Sequence, residues 1–256
     1  MPGSVLKSFG DWADNGRPLL RGEQYVNGIR TITLDLDDTL WEIHPVIRRA
    51  ERVLRAWMTE HYPRIVEMYA REDVMALRAQ VVEEFEDRIH DLTFIRRTVL
   101  ARMSDAAGYD AVFVDEAFEV FDRERNTLEL FPEVLPALQS LSRRYTLVAV
   151  TNGNARLDRI GIDDLFDDFV SARTAGAAKP ARVIFDAAVD AGGAGAHETL
   201  HVGDHPEYDV DGARAAGLRT AWMNRNGHAW PDELALPNVV INDLMQLDRL
   251  LGGSGR

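Results

Sequence analysis

The hydrophobic positions change their spacing twice along the chain, and the changes divide it. Over Ile29–Leu36, the residues Ile32, Leu34 and Leu36 alternate with Thr31, Thr33 and Asp35. Alternation at period two among β-branched residues predicts a strand. From about Pro45 to Thr127 the spacing becomes helical. Val46, Ala50, Val53, Leu54, Trp57 and His61 share one helix face, opened by Pro45 at a first-turn position that suits it. Leu92, Ile95, Val99 and Met103 make a second stripe, Val114, Ala117, Phe118 and Phe121 a third, and Asp73–Phe85 reads as one more helix. Beyond Pro132, helices at Val134–Leu141, Pro180–Ala191, Val210–Ala216 and Leu244–Leu251 alternate with short apolar runs. Those runs, Tyr145–Val150, Thr199–Gly203, Arg219–Met223 and an edge strand Val239–Ile241, predict a parallel, doubly wound sheet. The reading is an α/β core of residues 29–44 and 128–256, interrupted after its first strand by an all-helical insert of residues 45–127. Residues 1–28, with five glycines, two prolines and no period, are expected to form a loosely ordered arm that Trp12 and Tyr25 tack onto the body.

Composition narrows the chemistry. The 256 residues hold 29 Lys and Arg against 42 Asp and Glu, a formal charge of −13, and no cysteine. The missing cysteine excludes a disulfide scaffold, a cysteine-ligated zinc knuckle and a thiol nucleophile. The acidic balance argues against a nucleic-acid partner, because phosphate backbones select basic faces. Apolar runs stop far short of the ~20 residues a membrane helix needs, and no apolar signal-peptide region follows Lys7. A cytoplasmic globular protein, monomer or homodimer, is expected.

In open α/β sheets, ligands bind beyond the carboxyl ends of the strands. The first strand ends Asp35-Leu36-Asp37-Asp38-Thr39-Leu40, with Asp35 and Asp37 on one side of an extended chain. The next runs into Thr151-Asn152-Gly153-Asn154, Lys179-Pro180 precedes a helix, and a later strand ends Gly203-Asp204 with Asp209 five residues on. Four aspartates and one lysine at one place repel each other unless a cation or a proton relieves them. Oxygen ligands without cysteine or clustered histidine favour Mg²⁺ over Zn²⁺. An aspartate can attack phosphorus, a second can stay protonated and donate to the leaving oxygen, and lysine, hydroxyl and backbone N–H groups can stabilise the equatorial oxygens.

The order Asp-x-Asp-x-Thr, Thr-Asn-Gly, Lys-Pro and Gly-Asp-x-x-x-x-Asp resembles the haloacid dehalogenase superfamily, from residue 29 to about 245. More narrowly, it looks like the phosphatases of that superfamily with a helical cap after the first strand. Leu34–Leu40 with Trp41 and Pro45, Val148–Ala155 and Leu200–Asp204 are most similar to bacterial flavin mononucleotide phosphatases, which also act on a phosphorylated pyrimidine intermediate of riboflavin synthesis. The resemblance implies a Rossmann-like core and hydrolysis of a small phosphorylated metabolite. It implies Asp35 as nucleophile and Asp37 as general acid and base. It also implies Mg²⁺ held by Asp35, Asp204 and the Asp37 carbonyl, with Thr151, Asn152 and Lys179 at the phosphoryl group and Asp209 in support. A phosphomutase or a non-catalytic phospho-acceptor would use similar residues, and the presence of Asp37 favours turnover.

Other residues divide between plain and functional readings. Asp38 reads as a helix cap or solvated turn. Trp41 and His44, leaving the site, are candidates to stack on a substrate ring, and His205, beside Asp204, to touch substrate. His201 lies inside a strand and reads as a satisfied core residue. Arg48, Arg49, Arg52 and Arg55, interleaved with Glu51, read as a solvated helix face rather than a basic face toward an anionic substrate, and Arg96 and Arg97 likewise. Gly192, Gly193 and Gly195 read as a plain turn.

Overall fold

A computed structural model describes residues 26–252. Trp12 and Tyr25, expected to anchor the arm, lie outside them, whereas Val26 and Ile29 are buried in the main core. Six parallel strands form one sheet: β1 (Thr31–Leu34), β2 (Thr146–Thr151), β3 (Asp168–Ser171), β4 (Thr199–Gly203), β5 (Arg219–Met223) and β6 (Val239–Ile241). Their spatial order is β3-β2-β1-β4-β5-β6. That order reverses direction between β1 and β4, the switch point of a doubly wound sheet, so a crevice opens beyond the ends of those two strands.

The alternation within β2 explains the two layers. Leu147 and Ala149 pack on one face with Val134, Leu138 and Leu141 of the helix α6 (Val134–Leu141) and Leu244 and Leu247 of the last helix, Leu244–Gly252. Val148 and Val150 point the other way, onto Ile184, Phe185 and Ala188 of α7 (Arg182–Gly192). Burying an aliphatic side chain of this size contributes roughly 1.5–3 kcal/mol, so each residue of the alternation favours the same register. β3 carries no legible period. Asp168 is exposed and Phe169 half-buried, and as the edge strand it has a neighbour on one side only.

Between β1 and β2 runs the helical insert: α1 (Ile43–His61), α2 (Pro63–Met68), α3 (Arg71–Glu84), α4 (Leu92–Ala107) and α5 (Val112–Arg125). The four expected helices are joined by the short α2. The insert has its own core, in which Ala50, Leu54 and Met58 of α1 meet Ile95, Val99 and Met103 of α4 and Phe113, Ala117 and Phe121 of α5. α1 starts two residues before Pro45. The Asp38 carboxylate accepts from the Ile43 amide at 3.0 Å and so satisfies a free donor of the first turn, the capping role expected of Asp38. α7 likewise begins two residues after Pro180 rather than at it, because Pro180 sits in a turn packed against Gly212. Asp122 of α5 ties insert to core, facing Arg159 at 3.2 Å and Arg156 at 3.8 Å.

Candidate active site

The strand ends deliver the expected residues to one crevice. The Asp35 amide donates to the Val202 carbonyl at 2.9 Å, extending the β1–β4 pairing by one residue and setting Asp35 at the switch point. Lys179 is buried, and its Nζ donates to Asp35 Oδ1 at 2.5 Å, to Asp209 Oδ1 at 2.6 Å and to the Val150 carbonyl at 3.1 Å. One oxygen from each of Asp35, Asp204 and Asp209 falls within 4.8 Å of the others. Thr39 Oγ1 bridges two of these carboxylates, at 3.2 Å from Asp35 Oδ2 and 3.4 Å from Asp204 Oδ1.

The charges at this point do not balance by themselves. Burial would raise Asp209, but Lys179 and the His201 hydrogen bond overcome it and hold the carboxyl well below its usual range. Burial would lower Lys179, and Asp209 and Asp35 together hold it above its usual value. The ammonium is therefore charged and Asp209 is its counter-ion. Asp35 is pushed well above the usual carboxylate range by burial, against the pull of Lys179 and with repulsion from Asp209 and Asp204 adding to the rise. Asp204 is pushed up to about 7, by burial first and then by Asp209 and Asp38. Three carboxylates share one ammonium, leaving a surplus of negative charge on hard oxygen ligands. A divalent cation fits such a surplus and such donors.

The second motif aspartate lives in different surroundings. Asp37 accepts from Arg125 Nη2 at 2.8 and 2.9 Å and from Trp41 Nε1 at 2.9 Å, and it takes no part in the acidic cluster. Thr151 Oγ1 accepts from the Gly153 amide at 2.8 Å. A Cβ on Gly153 would lie 2.6 Å from Asp37 Oδ2 and 3.1 Å from Thr151 Oγ1, so the loop approaches this closely only with glycine. A buried carboxylate, a hydroxyl, a lysine and a second carboxylate thus gather at the sheet's carboxyl edge. The haloacid dehalogenase-like hydrolase family matches residues 29–217, a span that contains every one of these groups.

The chain is a haloacid dehalogenase-like hydrolase. It is 31% identical over 236 residues, 87% of this chain and 96% of the other, to the Escherichia coli (strain K12) 5-amino-6-(5-phospho-D-ribitylamino)uracil phosphatase YigB. A phosphoserine phosphatase of Thermus thermophilus is 33% identical over 158 residues, 59% of this chain and 63% of that protein. Among solved structures, a 2-haloacid dehalogenase from Pseudomonas syringae pv. Tomato DC3000 superposes with a TM-score of 0.84 at 37% identity, covering 89% of this chain and 100% of that one.

Within this hydrolase the structure relocates several expected residues. Trp41 is fully buried and its indole N–H is spent on Asp37, so it supports that carboxylate and offers no ring to a substrate. Asn152 turns from the phosphoryl space and clamps the lysine loop: its Oδ1 accepts from the Lys179 amide at 2.6 Å and its Nδ2 donates to the Lys179 carbonyl at 3.0 Å. His44 is exposed in the first turn of α1. His205 is exposed too, but its Nδ1 accepts from the Glu207 and Tyr208 amides and its ring stacks on Tyr208 at 4.0 Å, making it a cap for the segment Pro206–Asp211. Asp209 lies inside the acidic cluster and touches the lysine directly. His201 is buried as expected, 2.8 Å from Thr33 Oγ1 and 3.3 Å from Asp209 Oδ1.

Thr39 stands in the Asp-x-Asp-x-Thr motif but takes no role from the sequence alone, and two further supporting residues have no signature there: His201 as a partner of Asp209, and Arg125. Arg125 is the last residue of α5, 88 positions from Asp37. Its side chain is buried beside Asp37, and its Nη1 has no hydrogen-bond partner among the described residues. A terminal arginine at the end of a helical stripe is the only hint the sequence offers.

Proposed function

We propose that the protein hydrolyses phosphomonoesters of small metabolites, with Asp35 as nucleophile, Asp37 as general acid and base, and Mg²⁺ as cofactor. The observation that carries this reading is the separate environment of the two aspartates. Asp35 sits at the lysine and the acidic cluster, and Asp37 stands apart from them with Arg125, Trp41 and the Gly153 loop. A displaced halide is a weak base and needs no proton, whereas an alkoxide leaving group does. Asp37 therefore favours a phosphatase over the dehalogenation named for the Pseudomonas relative. The E. coli relative agrees with that choice and suggests a riboflavin-pathway phosphate or flavin mononucleotide as substrate.

The chain's groups would act in two displacements. An ionised Asp35 oxygen attacks phosphorus, the ester P–O bond breaks, and Asp37 gives its proton to the departing alkoxide. A water then attacks the aspartyl-phosphate, Asp37 takes its proton, and phosphate leaves with Asp35 restored. Lys179 and Thr151 face the equatorial oxygens, and Asp209 keeps the lysine charged and aimed. Mg²⁺, held by Asp35, Asp204 and the Asp37 carbonyl, would supply charge neutralisation for an incoming dianion. Asn152 contributes by fixing the lysine loop.

The experiment is phosphate release from p-nitrophenyl phosphate and a panel of phosphorylated metabolites including flavin mononucleotide, with chloride release from 2-chloropropionate beside it. We expect phosphate release only, lost on chelation and abolished by Asp35→Asn. Chloride release, or hydrolysis that survives Asp35→Asn, overturns the assignment.

A further inference from the structure

The insert holds a cavity of about 960 Å³ whose charge is opposite to that of the chain. Six arginines border it, Arg48, Arg52, Arg55, Arg71, Arg78 and Arg96, against the single acid Glu51. They arrive in two stripes. Arg48, Arg52 and Arg55 follow the i, i+4, i+7 spacing of one face of α1, and Arg71 and Arg78 lie seven apart on α3. Glu51 is used by Arg96 at 2.7 Å, and Arg55 donates to the Tyr69 carbonyl at 3.1 Å. Arg48, Arg52, Arg71 and Arg78 have no ion pair or hydrogen bond among the described residues. A chain with 42 acids has thus gathered four uncompensated guanidinium groups around one space. All four are solvent-exposed, so an anion entering the space displaces no existing partner from them. Arg48 and Arg52 are thus solvated, as the sequence suggested for α1, and also border this space, while Arg49 braces the carbonyls of Glu124 and Thr127.

The remaining wall is apolar, and two of the segments that form it also carry residues next to Asp37. Val99, Leu100 and Met103 of α4 and Phe121 of α5 line it, with the Arg96 guanidinium over the Phe121 ring at 3.3 Å. Phe121 stands one helical turn before Arg125, which holds Asp37. Asn154 also borders the cavity, and it ends the Thr151–Asn154 loop whose Gly153 abuts Asp37. Cavity and reaction space therefore share a helix and a loop.

Resting on the phosphatase reading but departing from a riboflavin-pathway substrate, whose far end is an uncharged ring, we infer that this cavity seats the non-reacting end of the substrate, and that this end carries its own negative charge, a carboxylate or a second phosphate, on a partly apolar body. Planar guanidinium groups match both anions in bidentate geometry. The apolar wall takes the connecting body, and the phosphoryl group lies at Asp35.

The test compares n-alkyl phosphates of increasing length with the matching α,ω-alkanediol bisphosphates and ω-carboxyalkyl phosphates. At the length that spans the two spaces, we expect kcat/KM for an anion-ended ester to exceed that of the neutral-ended one about tenfold, the effect of one retained charged hydrogen bond. The bisphosphate and carboxylate arms tell which anion is preferred. Arg52→Gln with Arg78→Gln should bring the ratio close to one, and Arg48→Gln or Arg71→Gln alone should lower it in part. A ratio near one at every length in the wild type, or a ratio that survives the double variant, overturns the inference. Binding of the same pairs to the Asp35→Asn protein, followed by calorimetry, separates this from the catalytic reading. Selective binding of anion-ended esters by the variant, with no phosphate released by the wild type, refutes the catalysis and keeps the cavity site. Turnover without that selectivity refutes the cavity site and keeps the catalysis.

Discussion

Protons and Mg²⁺ should compete for the same carboxylates, and the competition can be worked from Asp204. Its carboxyl is pushed up to about 7 by burial and by Asp209 and Asp38, whereas an unfolded aspartate titrates near its ordinary value. A cation binds the ionised form only. Between pH 8 and pH 6 the ionised share of a group titrating at 7 falls from about nine-tenths to about one-tenth, so Mg²⁺ affinity should weaken about tenfold. Asp35, also raised by burial, adds to this and makes tenfold a lower bound. Stability carries the same information with a definite sign. In the metal-free protein the folded state binds more protons than the unfolded chain, so the contribution of Asp204 is fully present below the unfolded value and is lost as pH rises through 7. The metal-free melting temperature should therefore rise as pH is lowered from 8 to 6, and the increment given by saturating Mg²⁺ should grow with pH. Calorimetric Mg²⁺ titrations at three pH values, with melting curves on the same samples, measure both. An affinity that is flat over this range would refute the argument that burial and repulsion leave these carboxylates short of a cation.

Two substitutions probe the supporting groups. Asp209→Asn removes the counter-ion of a buried ammonium, a change that costs about 3–5 kcal/mol when one partner of such a pair is lost. Because Asp209 stays ionised at both values, the loss should appear at pH 6 and at pH 8 in urea unfolding, and be smaller at pH 8, where the substitution also relieves the repulsion on an ionised Asp204; kcat should fall with it. An unchanged unfolding midpoint would mean that the lysine finds its compensation elsewhere. Gly153→Ala places a methyl 2.6 Å from Asp37 Oδ2, which Arg125 and Trp41 prevent from moving aside. A displacement of this kind at reacting groups lowers kcat by about a hundredfold. Steady-state kinetics showing wild-type turnover in this variant would contradict the close approach of loop and carboxylate.

The parts of this fold that were legible in the sequence are those where one residue does one thing. Strands buried on a definite face, such as β4 and β5, announce themselves by apolar runs, and residues just after strand ends fall at the switch point for topological reasons. β3 was not legible, since a four-residue edge strand with an exposed aspartate carries too little burial to leave a period. The gathering of residues was legible where strand ends implied it, as for Asp35, Asp204 and Lys179. Residue roles were not legible when a side chain's use depends on a distant partner. Trp41 reads as a free aromatic ring until Asp37 is found at its N–H, and Asn152 as a phosphate ligand until its amide meets the Lys179 backbone.

The helical insert therefore belongs to the catalytic apparatus and is more than a cover for it. α5 ends on Arg125, whose position depends on the packing of Phe121 and Ala117 into the insert's core. Arg49 of α1 donates to the Glu124 and Thr127 carbonyls on either side of Arg125, so two helices brace one guanidinium. That guanidinium holds Asp37 through Nη2. A shift of the insert that moved α5 would thus act on Asp37 through this ion pair while leaving Asp35 and Lys179, which hang from the sheet, in place. On the phosphatase reading, occupation of the arginine cavity between α1 and α3 and the setting of the general acid are then linked through α1 and α5. A substrate that fills the cavity would gain in kcat as well as in KM.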